Sequence, residues 1–218
     1  MKKILAIQGS DLNKINVKTD TTLLLASEAQ KRGYKIYYFE PEKISFLNGQ
    51  VIALCKHIKI NDEKKKFYTL VKTINLNLSK CKIILIRNDP PFESKYFYTT
   101  FLLNHISKKV KIVNHPFAVR NVSEKLFSIN FMKFMPPTLI SENLKEIKIF
   151  FNKYKPIVAK PINSFGGNNV ILLKNFNIKK IKKLIKSYNH LFFQKFLPGV
   201  YKGDKRVFII KGKIVGAI

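Results

Sequence analysis

Three stretches of this 218-residue chain set charged and polar side chains where they could do chemistry. The first is Lys160-Pro161-Ile162-Asn163-Ser164-Phe165-Gly166-Gly167. A lysine leaving a strand points a cation toward the following loop, and glycines there let backbone N–H groups approach phosphate oxygens. The glycine spacing fits neither a P-loop nor a dinucleotide fingerprint, and a plain Gly-Gly turn between strands is the competing reading. The second is Gln194-Lys195-Phe196-Leu197-Pro198-Gly199, which leads to Gly203-Asp204-Lys205-Arg206. Exposed donors and acceptors at such an exit can read the edge of an adenine ring. Asp204 is then a ribose or cation partner, and the planar fork of Arg206 suits a carboxylate or phosphoryl oxygen. An ordinary charged turn competes with that reading. The third is Arg87-Asn88-Asp89-Pro90-Pro91-Phe92, after a short apolar run, at the kind of sheet edge where open α/β folds bind ligands. Two prolines fix the backbone and would hold Arg87 for an anionic substrate. The alternative is a rigid turn with a local Arg–Asp pair.

Short strands at Lys3–Ile7 and Lys35–Phe39 flank a helix through Leu23–Ala29, capped by Asp20 or Thr21 and stopped at Gly33. Strand, helix and strand in that order begin a βαβ unit and a parallel sheet. Asn48-Gly49 between apolar runs predicts a tight hairpin. Ile83–Ile86 reads as a third core strand, the residues after Phe92 as a helix, and Val110–Val113 as a fourth strand. Further on, the pattern predicts a helix over 117–132, a stiff connector at Pro136-Pro137 and a helix from a Ser141 cap through Lys153. Strands follow at Ile157–Lys160 and Val170–Leu173, around a polar loop at 163–169. An amphipathic helix over 178–188, a strand at Leu191–Lys195 and a hairpin from Arg206 to Ile218 come last. The expected domains are 1–120 and 121–218. The final hairpin has an apolar face and nothing to pack on it, so the chain reads as cut off and marginally soluble.

Lys and Arg number 41 against 13 Asp and Glu, a net charge of +28. Such a chain has non-specific affinity for nucleic acid through counterion release. Sequence-specific contacts favour arginine, however, and only Arg32, Arg87, Arg120 and Arg206 are present. The lysines are scattered and read as a solvated surface, with no specific nucleic acid as partner. Apolar runs of four or five residues are too short for a membrane span or a signal peptide. Cys55 and Cys81 have neither disulfide nor metal spacing. A soluble, reduced, cytoplasmic protein with no membrane partner is expected.

In order and spacing the motifs resemble those of bacterial glutathione synthetases, a family of ATP-grasp ligases, over the whole chain. The matching segments are Ile15–Thr22, Glu28–Tyr34, Arg87–Phe92, Asn114–Pro116, Asn121–Leu126, Lys160-Pro161, Gly166-Gly167 and Gly203–Val207. Arg-x-Asp-Pro-Pro-Phe is the most specific of them. The resemblance implies an α/β fold, with an N-terminal Rossmann-like pre-ATP-grasp domain followed by an incomplete ATP-grasp domain. It implies joining of γ-glutamylcysteine to glycine with ATP and Mg2+ through an acyl phosphate. Lys125 and Lys160 are thereby assigned to the nucleotide phosphates, with Asn163, Ser164, Phe165, Gly166 and Gly167 as their cover. The backbone of Gln194, Lys195, Phe196 and Leu197 is assigned to adenine and Asp204 to the nucleotide. Arg206 is assigned to the charged acyl-transfer intermediate. Arg87, Asn16, Lys18 and Asp20 would face the peptide.

Two departures stand out. The loop of the family usually reads Asp-Gly-x-Gly-Gly, against Asn163-Ser164-Phe165-Gly166-Gly167 here. Family members also continue through an Arg- and Gly-rich catalytic loop and the acidic and Asn side chains that bind magnesium. No metal ligand can be named in this chain, and the ligands are expected in that C-terminal segment. Weak ATP binding and no turnover are expected of residues 1–218 alone, with a separate C-terminal polypeptide or a homo-oligomer among the partners. Another ATP-grasp carboxylate–amine ligase is the same-class alternative. A basic nucleic-acid-binding or scaffold protein on a relict ATP-grasp fold is the alternative of a different class.

Overall fold

Asp20 decides where the first helix begins. In the computed structural model its carboxylate accepts the N–H of Thr22 at 2.6 Å and of Leu23 at 3.1 Å, two donors that a first turn leaves unpaired. Helix α1 (Thr21–Lys31) follows and stops before Gly33. The structure describes residues 3–61, 66–89, 92–164, 166–188 and 190–218. The chain divides into two compact units, Met1–Glu124 and Lys125–Ile218.

The first unit carries β1 (Ile4–Gly9), β2 (Lys35–Phe39), β3 (Ile44–Leu47), β4 (Gln50–Ile60), β5 (Tyr68–Asn77), β6 (Ile83–Arg87) and β7 (Lys111–Val113). Helices α2 (Ser94–Ile106) and α3 (Pro116–Asn121) complete it. The strands form one sheet in the order β3-β4-β2-β1-β6-β7, with β5 on β4. Strands β2, β1, β6 and β7 are parallel, and β3, β4 and β5 join antiparallel. All of β1 is buried, as a parallel strand covered on both faces must be. Ile4 and Ala6 pack with Leu103 and Ile106 of α2. Leu5 and Ile7, pointing the other way, pack with Ala26 of α1. The predicted Asn48-Gly49 turn closes β3 on β4, with φ of +46° and +81°. The long β4–β5 ribbon was not foreseen, and it makes the sheet mixed rather than purely parallel.

The second unit contains β8 (Thr138–Ser141), α4 (Leu144–Tyr154), β9 (Ile157–Pro161), β10 (Ile171–Leu173), α5 (Ile178–Tyr188) and β11 (Leu191–Lys195). The sheet order is β10-β9-β11-β8, antiparallel throughout. Ile157, Ala159, Leu173, Leu191 and Phe193 line one face, against Ile147 and Phe151 of α4 and Ile181 of α5. On α5 the lysines 179, 180, 182, 183 and 186 are all exposed, the solvated face the sequence predicts. Two expectations need correction. The helix expected over 117–132 is α3 followed by a separate 3-10 segment, Phe127–Phe134, itself kinked at Phe131. Ser141 ends β8 and is not the helix cap. Asn143 caps α4, accepting the Lys145 N–H at 2.9 Å, while the Ser141 hydroxyl accepts the Asn143 N–H and donates to Glu146.

The last strands, β12 (Val207–Ile210) and β13 (Lys213–Ala217), pair as the expected hairpin. Every residue in them is exposed. No helix among the described residues is long and apolar enough to cross a membrane.

Candidate functional site

With α4 and α5 packed on one face of the second sheet, alternation turns Val158, Lys160, Gln194 and Thr138 to the other. There Lys160 Nζ donates to Gln194 Oε1 at 2.7 Å, Gln194 Nε2 donates to Thr138 Oγ1 at 3.0 Å, and Thr138 Oγ1 donates to the Pro136 carbonyl at 2.8 Å. Lys160, Gln194, Lys195, Phe196 and Leu197 line a cavity of about 510 Å³, together with Gly167 and apolar Val158, Val170 and Val200. An apolar slot with a few convergent polar groups suits a flat heterocycle. Lys125 Nζ donates to the Ser164 carbonyl, at the start of the loop that follows β9. Burial first, and the Lys125 charge second, hold the Lys160 ammonium below the usual range of lysine. Two amines gathered against their own repulsion are what a polyanion would relieve.

Described residues of the loop after β9 line two separate cavities. Gly166 and Gly167 have φ of +59° and +74°, left-handed positions that glycine occupies at no steric cost, and Gly167 reaches the Lys160 cavity. Asn163 and Ser164 line a separate cavity of about 490 Å³ beside Tyr188. Phe165 lies outside the described residues. At the β11 exit, the Lys195 and Phe196 N–H groups already donate to Pro137 and Pro156 carbonyls, each at 3.0 Å. Two of the backbone donors that the resemblance assigns to adenine are therefore already engaged within the chain. The main chain of Arg206 exchanges hydrogen bonds with Ile218 at 2.8 and 2.9 Å, closing the last hairpin. The side chains of Asp204 and Arg206 are exposed, and among the described residues no contact joins them to Lys160 or Gln194.

In the first unit, Arg87 ends β6 at the carboxyl edge of the parallel strands. Its guanidinium donates to Thr22 Oγ1 at 3.1 Å and Thr21 Oγ1 at 2.7 Å, two hydroxyls rather than the Asp89 carboxylate of the alternative reading. Arg87, Asn16 and Asp20 share a cleft of about 370 Å³ with Lys14 and Asp89. The Asp20 carboxylate serves there as the α1 cap, and Asn16 Oδ1 accepts the Lys18 N–H at 3.1 Å. Lys18 itself is exposed and is not among the residues lining the cleft. Pro90 and Pro91, expected to stiffen this edge, lie outside the described residues. From sequence Thr21 is read only as an alternative cap of α1, and neither Thr22 nor Thr138 is given a site role, since a threonine carries no periodic signal.

The fold is that of ATP-grasp ligases. A D-cycloserine synthetase superposes with a TM-score of 0.63 at 14% identity, covering 98% of this chain and 66% of its own. The ATP-grasp ligase PsnB, solved with a minimal precursor, Mg and ADP, gives 0.58 at 16% identity, covering 98% and 71%. Sequence narrows the class to one family. The prokaryotic glutathione synthetase N-terminal domain matches residues 3–120, and the prokaryotic glutathione synthetase ATP-grasp domain matches residues 124–218. Glutathione synthetase of Mesorhizobium japonicum is 34% identical across all of this chain and 71% of its own length. That of Bradyrhizobium diazoefficiens is 36% identical over the same shares, and that of Escherichia coli 31% over 97% and 68%. The chain belongs to the prokaryotic glutathione synthetase family. Membership makes it an ATP-dependent carboxylate–amine ligase.

Proposed function

We propose that the Lys160 cavity is the ATP site of a ligase that joins glycine to γ-glutamylcysteine. The observation that carries this is the Lys160–Gln194–Thr138 chain on the one face of the second sheet that its helices leave uncovered. Adenine lies among Val158, Leu197 and the other apolar lining residues. Lys160 and Lys125 face the phosphates, under the Gly166-Gly167 turn. Arg87 takes a carboxylate of the peptide, for which its guanidinium keeps N–H groups beyond the two that Thr21 and Thr22 accept. Transfer of the γ-phosphoryl group to the cysteinyl carboxylate forms an acyl phosphate and releases ADP. The glycine amine then attacks the acyl carbon, phosphate leaves, and a proton is lost from nitrogen. Arg206 is the cation for the charge that builds on that intermediate.

ATP-grasp ligases use magnesium with ATP, but the described residues do not fit a metal site. Among them no three His, Cys, Asp or Glu side chains gather into one. In residues 125–218 the carboxylates are Glu142, paired with His190 at 2.8 Å, Glu146, bonded to Ser141, and Asp204. No metal-dependent step is derived. The test is ADP release from ATP, magnesium and γ-glutamylcysteine, with and without glycine. It is run on this chain alone and with a separate polypeptide covering the part of a relative that the chain does not match. Glycine-dependent ADP release in either arm is expected, and its absence from both would contradict the proposal.

A further inference from the structure

We propose that Thr138 is a positioning residue for nucleobase recognition, fixing which way the Gln194 amide faces in the Lys160 cavity. The inference rests on ATP occupying that cavity. Three hydrogen bonds run in series, from Lys160 to Gln194 at 2.7 Å, from Gln194 to Thr138 at 3.0 Å and from Thr138 to the Pro136 carbonyl at 2.8 Å. Their direction is forced from both ends. An ammonium group can only donate and a carbonyl can only accept. Threonine has one hydroxyl hydrogen, and it goes to Pro136, so toward Gln194 the hydroxyl can only accept. The amide must then present its NH2 to Thr138 and its oxygen to Lys160. Strand register makes the arrangement durable, because β8 and β11 pair Thr138 directly with Gln194 on one face. Gln194 is 7% exposed, so an amide donor left without a partner has little water to turn to.

The consequence is selectivity. A fixed oxygen, with a lone pair beyond the one Lys160 uses, accepts from the exocyclic amine of adenine. It repels the carbonyl oxygen that guanine carries at the same ring position. If the amide were free to rotate, that distinction would blur. Thr138 touches neither base nor phosphate in this account and acts only through Gln194.

The test is competition of ATP and of GTP against a fluorescent ATP analogue on the full chain. Wild type is compared with T138V, which keeps shape and removes the acceptor, with T138A, T138S and Q194A, and with T138A/Q194A. T138V and T138A are expected to weaken ATP binding about three- to tenfold and GTP binding less, narrowing the preference for ATP. T138S should stay within about twofold of wild type, because it keeps the hydroxyl. In the Q194A background T138A should cost nothing further. A T138A loss of equal size with and without Gln194 would overturn the inference, as would ATP binding unchanged in T138V and T138A. Should T138V fail to fold, the T138A and Q194A cycle decides alone. A wild-type chain that binds no ATP would instead overturn the proposed nucleotide site.

Discussion

A half-buried lysine beside another lysine is poised to gain from a phosphate. Burial, then Lys125, lowers the Lys160 pKa from its usual 10.5. Below the folded value both folded and unfolded chains hold the proton, and the cost of burying the charge is fully present. Between the folded value and 10.5 the unfolded chain holds more protons, so stability rises with pH through that window. A triphosphate favours the charged amine, so ATP affinity should fall across the same window, seen in a titration from neutral to alkaline pH. Replacing Lys160 with Met should flatten both trends and leave urea stability at neutral pH unchanged or higher. Affinity that rose with pH would contradict this. Lys160 and Gln194 were legible in sequence because each ends a short apolar run and opens a polar loop. Thr138 was not, since it follows Pro136-Pro137 and reads as connector. Its partner is 56 positions away, and only the β8–β11 register brings them together.

At the scale of elements, caps and turns were read well where one residue settles them. Asp20, Gly33 and Asn48-Gly49 each fix a local geometry that no distant contact has to complete. The second-unit cap shows the limit, because Ser141 and Asn143 are both good caps and tertiary pairing decides between them. Strand β8 draws Ser141 into the sheet, leaving Asn143 at the start of α4. Asn143→Ala is therefore expected to cost about 1 kcal/mol in urea denaturation, and Asn143→Gly only a few tenths. No loss in the alanine variant would contradict the assignment. The β4–β5 ribbon escaped notice for a related reason. Along β5 the apolar Tyr68, Leu70, Ile74 and Leu76 alternate with polar residues, but Val71 and Lys72 interrupt the pattern and nearly every side chain is at least partly exposed.

For the whole molecule, charge and exposed apolar surface pull in opposite directions. A net charge of +28 opposes association, while Val207, Phe208, Ile209, Ile210, Ile214 and Val215 lie exposed on the final hairpin. Ile209 and Ile214 face each other across it. Replacing both with Lys should reduce light scattering at high protein concentration without lowering the melting temperature, and unchanged scattering would place the association elsewhere. The positive charge should also give weak DNA binding without sequence preference, fading steeply as salt is raised. Family membership and fold leave the nucleotide site as the point on which the account turns. The most direct measurement is displacement of a fluorescent ATP analogue by ATP on the wild-type chain and on K160M. Saturable binding that ATP displaces, weakened about tenfold or more in K160M, is the expected result. Absence of displaceable binding, or equal binding by K160M, would contradict the account.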